Sequence, residues 1–320
     1  MVLWIVLIIL GFVLLIKGAD FLVDGASNIA KKFHIPDIII GLTIVSIGTS
    51  MPELFVSITS AINGYSDMAI GNIVGSNIAN LLLILGMSSV IRAIQFKRET
   101  RLIEIPMCLG MSLLFVLLCN LGQDVTRFDA VILLVMFVAF IGYTIFMAKK
   151  GEVFDKEDIN EKDTDKTKLS KSTIKDLVFL ILGAVLLKVG GDLTVDNAVE
   201  VAKYFGLSEK IISVTILAIG TSLPELVTSL SAAIKGKSDI AIGNILGSNI
   251  FNMLLIIGVS AMIKPIVYNT GYNIDMLFLI GGTLILSLFP IIPPKNKVSR
   301  GNGIVYVLLY AAYLVSVFVK

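Results

Sequence analysis

The sequence predicts an all-α membrane protein: ten transmembrane helices in two inverted five-helix repeats, with helices 2 and 7 broken at mid-membrane. Three observations lead there. Of 320 residues, 56% are apolar and 16% charged, and the mean hydropathy is +0.92, which leaves too little charged surface for a soluble enzyme. Apolar stretches long enough to cross about 30 Å of hydrocarbon recur ten times. Residues 41–80 also align without gaps on residues 213–252 at a constant offset of 172, with 25 of 40 positions identical. The formal charge of +2, with Lys and Arg dispersed, gives no basis for a nucleic-acid partner.

The first span, 2–26, lacks the basic leader and small-residue cleavage site of a signal peptide, so it reads as helix 1. Spans 37–62, 68–91, 102–121 and 129–148 complete a first repeat assigned to residues 1–148. Cys108 and Cys119 sit in apolar surroundings and, with His34 as the single histidine, make neither a disulfide framework nor a zinc cluster; they read as packing residues. Residues 149–176, including GEVFDKEDINEKDTDKTKLSK, carry dense charge and almost no large apolar side chains, as expected of a solvated linker. Spans 173–197, 209–234, 240–263, 274–292 and 302–319 form the second repeat, residues 177–320.

Lys and Arg set the orientation, because positively charged short loops stay cytoplasmic. With the N-terminus outside, 19 of them fall in inner segments and 5 in outer ones, while Lys17 and Lys188 lie within spans. Both termini are therefore expected outside a cytoplasmic or plasma membrane, with the linker in the cytoplasm. Each half has an odd number of spans, so the second copy must cross in the opposite sense. In known folds such an inverted repeat points to a secondary transporter whose site lies near the midplane.

Within the repeat, GTSMPE (48–53) and GTSLPE (220–225) combine a helix-weakening Gly, hydroxyls, and a Pro that removes a backbone donor. A helix break follows near the centre of spans 2 and 7, where freed carbonyls are tolerated if they line a cavity or bind a cation. Glu53 and Glu225 lie one turn beyond, within about 6 Å of the centre at the helical rise. Ser50-x-x-Glu53 and Ser222-x-x-Glu225 also fit a capping box. A carboxylate at mid-membrane costs about 2.5–3.5 kcal/mol on insertion scales, and two in matching places call for a compensating cation, which capping does not preclude.

GNIVGSNIAN (71–80) and GNILGSNIFN (243–252) follow on spans 3 and 8. Gly71-xxx-Gly75 and Gly243-xxx-Gly247 read as small-residue helix contacts. Ser76 with Asn80, and Ser248 with Asn252, are four apart and share a helix face. Asn72, Asn77, Asn244 and Asn249 lie on other faces, where bonding to broken backbone across the interface is an open alternative. Carboxylates, hydroxyls, amide oxygens and carbonyls, without soft ligands, suit Ca²⁺ and Na⁺. Two carboxylates neutralise one Ca²⁺ or are shared among monovalent ions, so competition for the pair supplies a mechanism of exchange. Asp20, Asp24, Asp192 and Asp196 lie toward span ends, where interfacial solvation accounts for them.

GTSMPE with GNIVGSNIAN, repeated as GTSLPE with GNILGSNIFN, resembles the two α-repeats of the sodium/calcium exchanger family, within the Ca²⁺:cation antiporter superfamily. The resemblance covers both halves. It implies ion sites where broken helices 2 and 7 meet helices 3 and 8, and gating by helices 1 and 6. Residue by residue, it places the acidic pair on Glu53 and Glu225, the hydroxyl ligands on Thr49, Ser50, Thr221 and Ser222, and the helix 3 and 8 ligands on Ser76, Asn80, Ser248 and Asn252. Ser46 and Ala218 match positions offering a backbone carbonyl. Some relatives, potassium-dependent exchangers among them, carry Asp where this chain has Asn252, and the amide argues against K⁺ dependence. The linker is far shorter than the regulatory loop of animal exchangers, so a calcium-sensor domain is not expected. The expected function is Na⁺/Ca²⁺ antiport by alternating access, with Ca²⁺ and Na⁺ as substrates, no cofactor, and the lipid bilayer but no obligate protein as partner. Ca²⁺/H⁺ antiport is the nearest alternative and a cation channel a more distant one. No nucleophile–base pair points to an enzyme.

Overall fold

The computed structural model describes residues 1–122, 124–154, 166–206, 218–289, 291 and 296–319. Its helices are α1 (Val2–Lys32), α2 (Asp37–Thr49), α3 (Met51–Asn63), α4 (Ser66–Ile91), α5 (Thr100–Leu121) and α6 (Arg127–Phe154). The second half holds α7 (Lys166–Tyr204), α8 (Ala218–Thr221), α9 (Leu223–Ile234), α10 (Ser238–Ile263), α11 (Thr270–Leu288) and α12 (Arg300–Val319). Among the described residues eight helices are long and apolar enough to cross a membrane, and nine spans result if α2 and α3 count as one. The seventh expected span, 209–234, lies partly outside the described residues; α8 and α9 are its described part. Helix continues past the expected span ends on both sides of the linker, to Phe154 in α6 and from Lys166 in α7, because its Lys- and Glu-containing sequence is compatible with a solvated helix.

Position in the bundle follows side-chain size and polarity. The most apolar window of α10 is 94% buried and that of α4 72%, against 22% in α1 and α6 and 17% in α12. The two GSN helices are thus the centre, and the Leu-, Val- and Phe-rich α1, α6 and α12 face outward. Gly243 and Gly247 let α10 meet α2 backbone to backbone: a Cβ at Gly243 would lie 2.7 Å from the Ile38 carbonyl oxygen, and one at Gly247 2.7 Å from Leu42 Cα. The segment that the repeat sets opposite Gly71 and Gly75, around 210–217, lies outside the described residues.

α1 and α7 pack along a second glycine seam. A Cβ on Gly11 would lie 2.8 Å from the Gly190 carbonyl oxygen, one on Gly18 2.9 Å from that of Gly183, and one on Gly25 2.8 Å from that of Asp176. The partners descend by seven as the glycines ascend by seven, so the two helices run antiparallel.

Among the described residues four wide, π-type turns occur in the helices, at Gly41–Val45, Ala79–Ile84, Thr100–Glu104 and Asn252–Ile256. Such turns often mark functional positions, and the second and fourth are related by the repeat. Two short antiparallel ribbons tie the halves together: Ile94–Gln95 (β1) pairs with Lys297–Val298 (β4), and Asp124–Val125 (β2) with Ile266–Val267 (β3). Cys108 and Cys119 are buried free thiols.

Candidate cation site between the two repeats

The break between α2 and α3 falls at Ser50 (φ −84°, ψ 9°), with Pro52 in the first turn of α3, and the two helices are bent by 51°. Ser222 (φ −88°, ψ 6°), with Pro224 after it, separates α8 from α9 in the same way. Proline is accommodated in a first helical turn, where its missing N–H would have no partner.

Neither serine caps its own helix through its side chain. Each hydroxyl reaches across to the other copy instead. Ser50 Oγ donates to Glu225 Oε1 at 2.7 Å, and Ser222 Oγ to Glu53 Oε1 at 3.4 Å. Ser76 Oγ from α4 donates to Glu53 Oε1 at 3.3 Å, and Ser248 Oγ from α10 to Glu225 Oε1 at 3.5 Å. All six side chains are buried. The capping-box alternative is therefore corrected: S-x-x-E is present in sequence, but its serine is spent on a carboxylate of the other copy.

The remaining expected residues surround this core. Thr49 Oγ1 donates to Ser46 O at 3.3 Å and to Asn244 Oδ1 at 3.1 Å, while Thr221 Oγ1 donates to Asn72 Oδ1 at 3.3 Å. Ser46 also accepts the Ser50 N–H at 3.0 Å and is buried. Ala218 opens α8, four residues before Ser222, as Ser46 stands four before Ser50. Asn80 and Asn252 sit in the repeat-related π-type turns on α4 and α10, both buried. Asn80 Nδ2 donates to Asn249 Oδ1 and Asn252 Nδ2 to Asn77 Oδ1, each at 3.0 Å.

Among the buried side-chain atoms without a hydrogen-bond partner are four oxygens of this cluster: Glu53 Oε2, Glu225 Oε2, Asn80 Oδ1 and Asn252 Oδ1. They are two matched pairs under the repeat. Buried acceptors without donors are costly, and a hard cation is the kind of group that satisfies such oxygens. No group of three or more His, Cys, Asp or Glu placed to hold a metal ion occurs among the described residues, so a cation in this cluster would draw its charge from two carboxylates and the rest of its shell from neutral oxygens.

Residue patterning alone left the supporting asparagines open. Asn72 Nδ2 donates to Ser57 Oγ at 3.0 Å and to the Glu53 carbonyl oxygen at 3.4 Å, which steadies the backbone just past the break. Asn244 Nδ2 donates to Ser229 Oγ at 2.9 Å. Ser57 and Ser229 were not singled out, although their identity in both copies was the available signal. The other acids stand apart: Lys235 Nζ lies 3.0 Å from Asp20 Oδ1 and 2.8 Å from Asp24 Oδ1, and Lys188 pairs with Asp192 at 2.6 Å.

The chain is similar to several membrane proteins. A protein named as a putative antiporter, CaxA of Alkalimonas amylolytica, is 37% identical over 310 residues, covering 96% of each chain. The sodium/calcium exchanger MaX1 of Methanosarcina acetivorans is 32% identical over 350 residues, covering 98% of this chain and 97% of its own. The sodium-calcium exchanger NCX_Mj, solved with 10 mM Na⁺ and no Ca²⁺, superposes with a TM-score of 0.85 at 31% identity, over 98% of this chain and 99% of its own. Residues 3–146 and 175–319 match the sodium/calcium exchanger protein family, and the chain therefore belongs to that family of cation antiporters.

Proposed function

We propose that the protein exchanges Ca²⁺ for Na⁺ across the cytoplasmic membrane by alternating access, through the site between the two GTS-x-PE breaks. As a member of an exchanger family it is a transporter rather than an enzyme. The observation that carries the reading is the set of four partnerless oxygens, on Glu53, Glu225, Asn80 and Asn252, beside two buried carboxylates. Thr49, Thr221, Ser50, Ser222, Ser76 and Ser248, with the carbonyls of Ser46 and Ala218, complete the oxygen shell of the bound ions. NCX_Mj has also been solved with Na⁺ together with Sr²⁺, a hard divalent ion of the same chemistry as Ca²⁺.

One site serving both ions accounts for exchange. Ca²⁺ takes the two carboxylate charges alone, whereas Na⁺ ions must share them, so either cargo displaces the other. The coupling is energetically sufficient. Expelling one Ca²⁺ against a 10⁴-fold gradient and 100 mV costs about 10 kcal/mol, and each Na⁺ entering down a tenfold gradient returns about 3.7 kcal/mol. Three Na⁺ suffice and two do not.

In this reading ten helices form two inverted repeats, residues 1–148 and 177–320, joined by a cytoplasmic connector at 149–176, with both termini outside. The test is ⁴⁵Ca²⁺ uptake into pH-clamped proteoliposomes. A Na⁺ gradient alone should drive uptake. Uptake driven only by a proton gradient would replace Na⁺ with H⁺ as the counter-ion, and non-saturating flux without any counter-ion would indicate a channel.

A further inference from the structure

Asn77 and Asn249 lie where α4 and α10 cross, one behind each amide of the proposed site. Asn77 Nδ2 donates to the backbone carbonyl of Asn249 at 3.4 Å, and Asn249 Nδ2 donates to the backbone carbonyl of Asn77 at 3.2 Å. A backbone carbonyl can only accept, so each of these amides must turn its nitrogen toward it. The orientation of both side chains is thereby fixed by the main chain. Their oxygens point the opposite way and can only accept in turn. Asn77 Oδ1 takes Nδ2 of Asn252, and Asn249 Oδ1 takes Nδ2 of Asn80. With their nitrogens held, Asn252 and Asn80 have one face left to offer, and it is the oxygen, which has no protein partner in either copy.

We infer that Asn77 and Asn249 are positioning residues that set the polarity of the site, forcing Asn252 and Asn80 to present oxygen rather than nitrogen to the cation. The inference rests on the reading of Asn80 and Asn252 as cation ligands. An amide presents an acceptor oxygen or a donor nitrogen at nearly the same cost in shape, so a site that uses amides as cation ligands must prevent the flip. The bonding is crosswise: the Asn77 side chain acts on Asn252, and that of Asn249 on Asn80. Both asparagines are wholly buried in the α4–α10 contact.

The crosswise wiring gives a test that loss of packing does not mimic. The Ca²⁺ Kd of the full-length purified protein would be measured by titrating Ca²⁺ against thermal stability in Na⁺-free buffer. Asn77→Ala should weaken Kd about 10-fold, the lower end for residues that orient metal ligands. It should do so again on an Asn80→Ala background, but add little on an Asn252→Ala background. Asn249→Ala should show the mirror pattern, adding little only on Asn80→Ala. If an alanine variant does not fold, Asn77→Leu and Asn249→Leu keep the volume while removing both hydrogen-bonding functions. An equal loss of affinity on both backgrounds, or no loss at all, overturns the inference while leaving the site intact. An unchanged Kd in Asn80→Ala and Asn252→Ala themselves would instead remove these amides from the proposed site, and the inference with them.

Discussion

Glu53 and Glu225 each depend on the opposite copy for a hydroxyl, Ser222 for the first and Ser50 for the second. Cost decides what they are for. A buried carboxylate held by neutral hydroxyls alone still lacks a counter-charge, and here two share one interior. Glu53→Gln or Glu225→Gln keeps size and hydrogen bonding but removes one of the two charges that offset Ca²⁺. Either should abolish Na⁺-driven ⁴⁵Ca²⁺ uptake while leaving an inserted, monodisperse protein; near-normal uptake in either would sink the shared site. Position 252 makes a separate case. Asn252 Nδ2 donates to an amide oxygen, a bond that an ionised carboxylate cannot make. Asn252→Asp should therefore tie exchange to pH between 6.5 and 8 or add a K⁺ response, neither of which the parent should have. Uptake measured with and without K⁺ across that range decides it, and identical profiles would take Asn252 out of the coupling. The acids, hydroxyls and amides were legible because both copies carry them. Their partners were not, since the Ser50–Glu225 bond spans 175 positions and looks locally like a capping box.

At the scale of elements, α1 and α7 show where sequence reading stops. The offset of 172 pairs Gly11 with Gly183, which is correct as a repeat relation. In space, however, Gly11 meets Gly190 and Gly18 meets Gly183, because the helices run antiparallel. The offset relates the glycines of the two copies; only the fold supplies the register. A Cβ at Gly183 would come within 2.6 Å of Leu22 N and 2.8 Å of the Gly18 carbonyl oxygen, contacts with rigid backbone that can be relieved only by parting the helices. Gly183→Ala should therefore lower stability by about 1–3 kcal/mol, as for other overpacked contacts, and slow exchange. Gly110→Ala and Gly142→Ala, at exposed positions with no neighbouring atom within 4 Å, should change neither. Thermal melts of the purified variants make the comparison, and a Gly183→Ala melt matching these controls would show that the seam is not tight.

For the whole molecule, the two ribbons bear on how the repeats are set in the membrane. β1 and β3 are related by the 172 offset, as Ile94 is to Ile266, yet β1 pairs with β4 and β2 with β3. On the proposed ten-span reading, each ribbon joins the loop after the third span of one half to the loop after the fourth span of the other. Loops one span apart within a single half lie on opposite sides of a membrane, so this exchange of partners is the pattern that the proposed inversion of one half relative to the other leads one to expect. Other contacts follow the same division: Lys97 pairs with Asp239 at 2.9 Å and Arg101 with Asn296 at 2.6 Å, while Arg127 donates to the Met262 carbonyl at 3.2 Å. In the proposed orientation the first two contacts, which join Lys- and Arg-rich loops, fall on the cytoplasmic face. In sealed right-side-out vesicles of a variant with Cys108 and Cys119 replaced by Ala, an impermeant maleimide should label Arg127→Cys and Val267→Cys. Gln95→Cys and Arg300→Cys should react only after the vesicles are opened. Reversal of all four would keep the inverted repeat and flip the orientation, whereas labelling of Gln95→Cys together with Val267→Cys, but not Arg300→Cys, would mean that the halves cross in the same sense.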